Sequence, residues 1–140
     1  MMKTLFIDTN IIIDLIAQRE PYYQPIAKIA TLAESKKLKI IATPLSFTNT
    51  FYVLSKHMDK KKLSGILTKL RILCDVAPTN ANTVDKALAS GFNDFEDAVQ
   101  YHSALTVKSD IFITRNKKDF KKTEIPVMTA AEFLTSINKK

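Results

Sequence analysis

The sequence predicts an α/β domain layered around a mostly parallel sheet of four to five strands. Three observations predict it. Short apolar runs of strand length ("KTLFI", "LKIIA", "DIFIT") alternate with longer stretches of helical period along the chain. These runs show little polar alternation, as strands covered on both faces do. A chain of 140 residues with 46% apolar content can bury a core and is the length of one domain, spanning 1–140.

Taken in order, "KTLFI" is the first strand and "DTN" ends it, with Thr9 or Asn10 placed to cap a helix over "NIIIDLIAQ". "REPYYQP" is a turn marked by Pro21 and Pro25. "IAKIATLAESKK" has helical spacing at Ile26, Ile29, Ala30 and Ala33, and "LKIIA" is the second strand. Thr43 before Pro44 reads as an N-cap with proline at the first helical position, opening "PLSFTNTFYVLSKH". Asp59 caps the next helix, whose stripe is Leu63, Ile66, Leu67, Leu70 and Leu73. "CDVAP" fits a brief strand. "TNANTVDKALAS" is a helix closed by Gly91 at C′. Asn93, three residues before Glu96, resembles the capped start of "DFEDAVQYHSALTVK". "DIFIT" and "VMT" are the remaining strands, and Thr129 to Glu132 forms a capping box for the last helix.

The totals exclude several functions. Gly65 and Gly91 are the only glycines, so neither a phosphate-binding Gly-rich loop nor a dinucleotide fingerprint can be built. Cys74 is alone, which rules out an internal disulfide and suits a cytoplasmic setting; within "RILCDVA" it reads as a small core residue. No secretory segment precedes Asp8, and no apolar run reaches the ~20 residues of a membrane span, so no membrane role is expected. The net charge of +7 favours polyanionic partners.

Against that basic background stand carboxylates in apolar surroundings. Functional groups of open parallel sheets gather beyond the carboxyl ends of the strands. Asp8, Thr9 and Asn10 follow the first strand there. "NDFEDAVQ" sets Asp94 and Asp97 at i and i+3, neighbours on one helix. At 100° per residue, Phe95, Ala98, Val99, His102 and Leu105 make the core stripe, and Glu96, Gln100 and Ser103 point away from it. "FITRNKKDF" brings Thr114, Arg115, Asn116 and Asp119 to the same rim. Asp8, Asp94, Asp97, Asn116 and Asp119 can thus converge from three distant segments. Clustered carboxylates without cysteine, and with His57 and His102 as the sole histidines, fit an oxygen-loving cation, Mg²⁺ or Mn²⁺. On a basic protein this points to phosphodiester chemistry. Each acid alone has a plainer reading: Asp8 and Asp94 suit helix caps, and Asp119 a loop. Asp14 suits either a solvated face or a supporting role paired with Arg19. The two histidines read as structural, and Tyr22, Tyr23, Tyr52 and Tyr101 mainly as packing. Tyr101, one turn beyond Asp97, is the tyrosine nearest the acids. Arg115 and Lys117 adjoin the site and could hold RNA phosphates.

"FIDTNIIIDLI", "NDFEDAVQYHSAL" and "IFITRNKKDF" resemble the three acidic blocks of PIN domains, in particular the small bacterial VapC-type toxins. The resemblance covers nearly the whole chain. It implies a three-layer fold with helices on both faces of the sheet. It also implies an acidic Mg²⁺ or Mn²⁺ site that cleaves RNA with water as the attacker, leaving a 5′-phosphate and a 3′-hydroxyl. By position, Asp8 and Asp97 match metal-binding acids, Asn116 and Asp119 the last block, and Thr114 its supporting hydroxyl. Asp94 is an extra acid, and Thr9 and Asn10 support the first block. Where such domains usually carry Glu in an "E-x-x-Y" context, this chain has Asn49, which brings no charge. The implied protein is the toxin of a toxin–antitoxin pair, with an antitoxin over its groove and a homodimer supported by apolar helix faces.

Two rivals differ in class. Asn49 motivates a PIN-fold module that binds RNA or protein with weak catalysis. A phosphatase using an aspartyl nucleophile would show "D-x-D" after the first strand, and Asn10 occupies that second position.

Overall fold

The structure, a computed structural model, describes residues 2–138. Its elements run β1 (Lys3–Ile7), α1 (Thr9–Ile16), α2 (Tyr23–Glu34), β2 (Leu38–Ala42), α3 (Pro44–Leu54), α4 (Lys60–Leu73), β3 (Cys74–Val76), α5 (Ala81–Ala89), α6 (Phe95–Thr106), β4 (Ile111–Ile113), β5 (Val127–Met128) and α7 (Ala130–Asn138). A single 3₁₀ turn covers Lys117–Asp119. The strands form one sheet in the order β3-β2-β1-β4-β5, and every pair is parallel. The α/β class and the parallel sheet are as the alternation of elements predicts, with "CDVAP" supplying the fifth strand.

Strand alternation sends β1 side chains to two separate cores. Leu5 and Ile7 join Ile40 and Ala42 of β2 and Ile111 and Ile113 of β4 under α1, α2, α4 and α7. Phe6, Ile41 and Phe112 face the other way, against Tyr101 and Ala104 of α6 and Phe120. The result is three layers, with Leu5, Phe6 and Ile7 of β1 fully buried at the centre of the sheet. Each such Leu, Ile or Phe contributes roughly 1.5–3 kcal/mol by leaving water. Cys74 belongs to the first core, and burial pushes its thiol up to about 12, as suits an inert packing residue.

Most helix starts and stops follow the sequence signals. The Thr43 hydroxyl accepts from Ser46 N, Asp59 from Lys62 N, and Thr129 and Glu132 cap each other reciprocally. Gly91 takes φ +75 just past α5. At two helix starts the acid takes the cap that its plainer reading gave it, and a third helix starts earlier than expected. Asp8, rather than Thr9 or Asn10, caps α1, accepting from Ile11 N at 3.2 Å. Asp94, rather than Asn93, caps α6, accepting from Asp97 N at 2.9 Å. In both places a carboxylate one residue away meets the orphan amides better than the neutral side chain, since an anion also suits the helix N-terminus. Finally, α2 begins before Pro25, which sits in the first turn, where its missing N–H leaves no bond unmade.

No helix among the described residues is long and apolar enough to cross a membrane.

Candidate active site

From β1 the chain turns to β2 on one side, and β4 lies on the other. The strand order reverses there, and the crevice beyond the carboxyl ends of β1 and β4 is where this topology opens a site. Asp8 follows β1 directly. It is 7% exposed, and Thr114, just past β4, donates its hydroxyl to Oδ2 at 2.6 Å. Burial raises the Asp8 carboxyl to about 6, against the pull of Thr114 and the Ile11 amide, with Glu96 and Asp14 adding repulsion. Those two bonds fix the carboxylate's orientation at the strand end.

Above Asp8 opens a pocket of about 390 Å³, lined by Thr9, Asn10, Asn49, Tyr52, Asp94, Glu96, Asp97, Asn116 and Asp119 among others. Every sequence-predicted acid is therefore at one place: Asp8 beneath the pocket, Asp94 and Asp97 from the start of α6, and Asp119 from the 3₁₀ turn. Asp97 feels all of them. Its carboxyl is raised to about 7, first by burial, then by Asp94, Asp8, Asp119 and Glu96. Asn10, Asn116 and Asp119 are exposed at the mouth, and the Asn116 amide N–H donates to the Thr114 hydroxyl at 3.2 Å.

The expected phase of α6 holds only in part: Ala98 and Val99 are buried as expected. Gln100 and Ser103, read as outward, are 1% and 0% exposed, whereas Phe95 is 49% exposed and His102 and Leu105 are only half-buried. The buried face is mixed: Ala98, Val99, Tyr101 and Ala104 meet apolar clusters, while Gln100 meets hydroxyls. Gln100 Nε2 donates to Thr9 Oγ1 (3.0 Å) and Ser46 Oγ (2.6 Å), and Gln100 Oε1 accepts from Thr43 (3.2 Å). With Gln100 inside, Glu96, one turn earlier, is carried to the pocket instead of to solvent. Its Oε2 accepts from Thr9 at 2.8 Å and its Oε1 from Asn49 Nδ2 at 3.1 Å. Glu96 is the site residue that the sequence reading missed. The available signal was Thr43 and Ser46 beside β2, small hydroxyls that accompany a buried amide.

Asp14 is fully buried, and its carboxylate pairs with Arg115 rather than with the Arg19 side chain. Arg115 Nε lies 2.9 Å from Oδ2, Nη2 donates to Oδ1 at 3.1 Å, and the guanidinium sits 4.1 Å from the Tyr22 ring centroid. Burial still lifts the Asp14 carboxyl, with Arg115 and then Arg19 opposing. Arg115, expected to reach RNA, is thus engaged in holding the loop after β4 to α1. Lys117 is exposed and bridges Glu132 at 2.7 Å. Its neighbours Lys118, Lys121 and Lys122 line an adjoining cleft of about 880 Å³ that shares Asp94 and Asp119 with the acidic pocket.

The histidines stay apart from the acids' chemistry. His57 is exposed beyond α3, and both ring nitrogens of His102 are buried without a partner beside Phe92 and Tyr101. Burial and Lys86 lower the His102 pKa, against Glu124. Tyr101 packs against Phe112, and its hydroxyl accepts from Glu124 N.

Oxygen is the only donor type around the pocket, which suits Mg²⁺ or Mn²⁺ and excludes a zinc site of Cys and His. Among the described residues no three His, Cys, Asp or Glu side chains are already gathered closely enough to hold an ion. The fit to such an ion therefore lies in donor chemistry and charge rather than in a finished cage.

Comparison with known proteins agrees with this fold. Over 136 residues the chain is 29% identical to ribonuclease VapC1 of Aquifex aeolicus, covering 94% of this chain and 93% of that one. In fold it is similar to VapBC-1 from nontypeable Haemophilus influenzae, with TM-score 0.69, 17% identity, and 91% and 98% of the two chains covered. It is also similar to a toxin–antitoxin complex from Klebsiella pneumoniae, with TM-score 0.68, 19% identity, and coverage of 90% and 97%. The PIN domain family model matches residues 4–118, a span that begins in β1 and takes in the Asp8, Asp94, Asp97 and Asn116 segments. With the sheet order, the strand-end acids and that match in agreement, the chain belongs to the PIN domain family.

Proposed function

We propose that this protein is a metal-dependent endoribonuclease that cleaves RNA phosphodiesters with water as the nucleophile. The observation that carries the reading is the meeting of Asp8, Asp94, Asp97, Asp119 and Glu96 at one strand-end pocket on a chain of net charge +7. Evolution of a soluble fold rarely crowds like charges unless they have a cation to hold. Asp8 and Asp97 would hold Mg²⁺ or Mn²⁺, with Asp94 and Asp119 beside them. Such an ion supplies water activation and charge stabilisation on the phosphate.

The chain's own groups do the rest. Thr114 keeps Asp8 in one orientation. Asn10 and Asn116 offer amide donors at the mouth, where phosphate oxygens enter. Tyr52, 64% exposed on the pocket rim, presents a ring on which a base can stack. Lys118, Lys121 and Lys122 replace Arg115 as the cations available to the RNA backbone, and contacts of this kind place substrate without reading its sequence. Products are a 5′-phosphate and a 3′-hydroxyl.

The relative from Aquifex aeolicus is a ribonuclease by name, and a structural neighbour is a toxin–antitoxin complex. Both support the toxin of a pair, working in the cytoplasm and silenced by an antitoxin. Ile72 of α4, an isoleucine 86% exposed, supports a homodimer or antitoxin contact there.

Cleavage of a 5′-labelled structured RNA tests the reading. Wild type with Mn²⁺ should cut, and both EDTA and Asp97→Asn should abolish cutting. Cleavage that survives EDTA would refute the metal mechanism. A folded wild type that cuts no RNA would leave the binding-module reading.

A further inference from the structure

Asn49 stands where the sequence pattern calls for a carboxylate, yet the structure sets a carboxylate against it. Glu96 Oε1 lies 3.1 Å from Asn49 Nδ2, and Glu96 Oε2 lies 2.8 Å from Thr9 Oγ1. The proton count around Thr9 decides which way these bonds run. Gln100 spends both amide protons, on Thr9 Oγ1 and on Ser46 Oγ. Ser46 Oγ is also 2.9 Å from Thr9 Oγ1. Thr9 therefore accepts from the buried side, and its one hydroxyl proton is left for Glu96. An ionised carboxylate can only accept, so Asn49 must turn its amide nitrogen toward Glu96, and its carbonyl oxygen is directed elsewhere. Glu96 is thus gripped at both oxygens, half-buried, on the wall of the acidic pocket.

Resting on the metal-dependent reading above, we propose that Glu96 supplies the negative charge missing at Asn49. The carboxylate is carried by α6 rather than α3, and Asn49 is a positioning residue that clamps it across the pocket. Asn49 is then no sign of a weakened site. The count of acids is kept by two residues that exchanged roles, and Thr9 is the fixed point that holds the carboxylate from below.

Transposing the pair tests this. Mn²⁺ binding to the full chain is measured by the paramagnetic resonance of free Mn²⁺, with thermal melting in EDTA to confirm folding and RNA cleavage as a separate readout. Glu96→Gln should weaken Mn²⁺ binding roughly 10- to 100-fold, the range found when a supporting metal-site group is lost. Asn49→Ala should cost less, because Thr9 still holds the carboxylate. The double variant Asn49→Glu with Glu96→Gln rebuilds the pair with its partners exchanged, and should return affinity to within about 3-fold of wild type. An unchanged affinity in Glu96→Gln, or a double variant no better than Glu96→Gln alone, would overturn the proposal, as would a wild type that binds no Mn²⁺. Retained Mn²⁺ binding without cleavage of any RNA would sink only the nuclease reading.

Discussion

Replacing Asp97 by Asn should make the metal-free protein more stable, not less, and only at neutral to alkaline pH. The Asp97 carboxyl sits at about 7 rather than 3.8, and every cause raises it: burial, then Asp94, Asp8, Asp119 and Glu96. Unfolding lets it ionise freely. Below about pH 4 the carboxyl is protonated in both states and nothing is lost. As pH rises toward 7 the unfolded chain ionises first, so folded stability declines across that window. The full interval is worth roughly 4 kcal/mol, at about 1.4 kcal/mol per pH unit. Water entering an open pocket screens part of it, and a charge near the start of α6 recovers about 0.5 kcal/mol from the helix dipole. A gain of about 2 kcal/mol at pH 8 is then expected, or about 4–8 °C in Tm for a domain of this size. Urea titrations in EDTA at pH 8 and pH 4 measure it. A variant less stable than wild type at pH 8, or equally stabilised at both pH values, would refute the idea that charge crowding strains this site. Adding Mn²⁺ should raise the Tm of wild type more than that of the variant.

Arg115→Ala leaves Asp14 buried without the cation that holds it, and should destabilise by about 3 kcal/mol, read as a lower urea midpoint with unchanged slope. Thr114→Val removes the 2.6 Å bond that opposes the rise of Asp8, so its carboxyl should titrate above about 6, and the acid limb of Mn²⁺ binding should move to higher pH. Gly91→Ala should cost about 1 kcal/mol in thermal or urea unfolding. Its φ of +75 is unfavourable for a side chain, and an added Cβ would meet nothing within 4 Å, so the cost is conformational alone.

The layers, the parallel sheet and the convergence of Asp8, Asp94, Asp97 and Asp119 were legible in the sequence, because strand length, cap residues and strand-end acids are local signals. What periodicity could not show was the inner face of α6. Amphipathic reasoning assumes that a buried face is apolar, which assigns Phe95 inward and Gln100 outward. Behind this site the buried face is a hydrogen-bonded cluster in which Thr9, Thr43, Ser46 and Gln100 satisfy one another, at 9%, 0%, 0% and 1% exposure. Polarity in that setting marks partnership rather than solvent. The same limit hid the Asp14 pairing: Arg19 is near in sequence, and Arg115 becomes near only once β4 lies beside β1.

Two kinds of charge management therefore meet at the end of β1. Asp14 is neutralised inside the protein by Arg115, which ties α1 to the loop after β4 and leaves nothing for a ligand. Neither Asp8 nor Asp97 has a lysine or arginine acting on its carboxyl, and Glu96 accepts only from Thr9 and Asn49 among the described residues. A fold with 21 lysines and arginines does not lack cations to place there. Arg115 is committed to Asp14, while Lys118, Lys121 and Lys122 line the adjoining cleft. Keeping basic side chains around the pocket but out of it preserves an anionic centre within a cationic surround. That arrangement attracts a polyanion to the rim while leaving the centre to a small divalent ion, and it is the same imbalance that makes the ion-free pocket costly above pH 7.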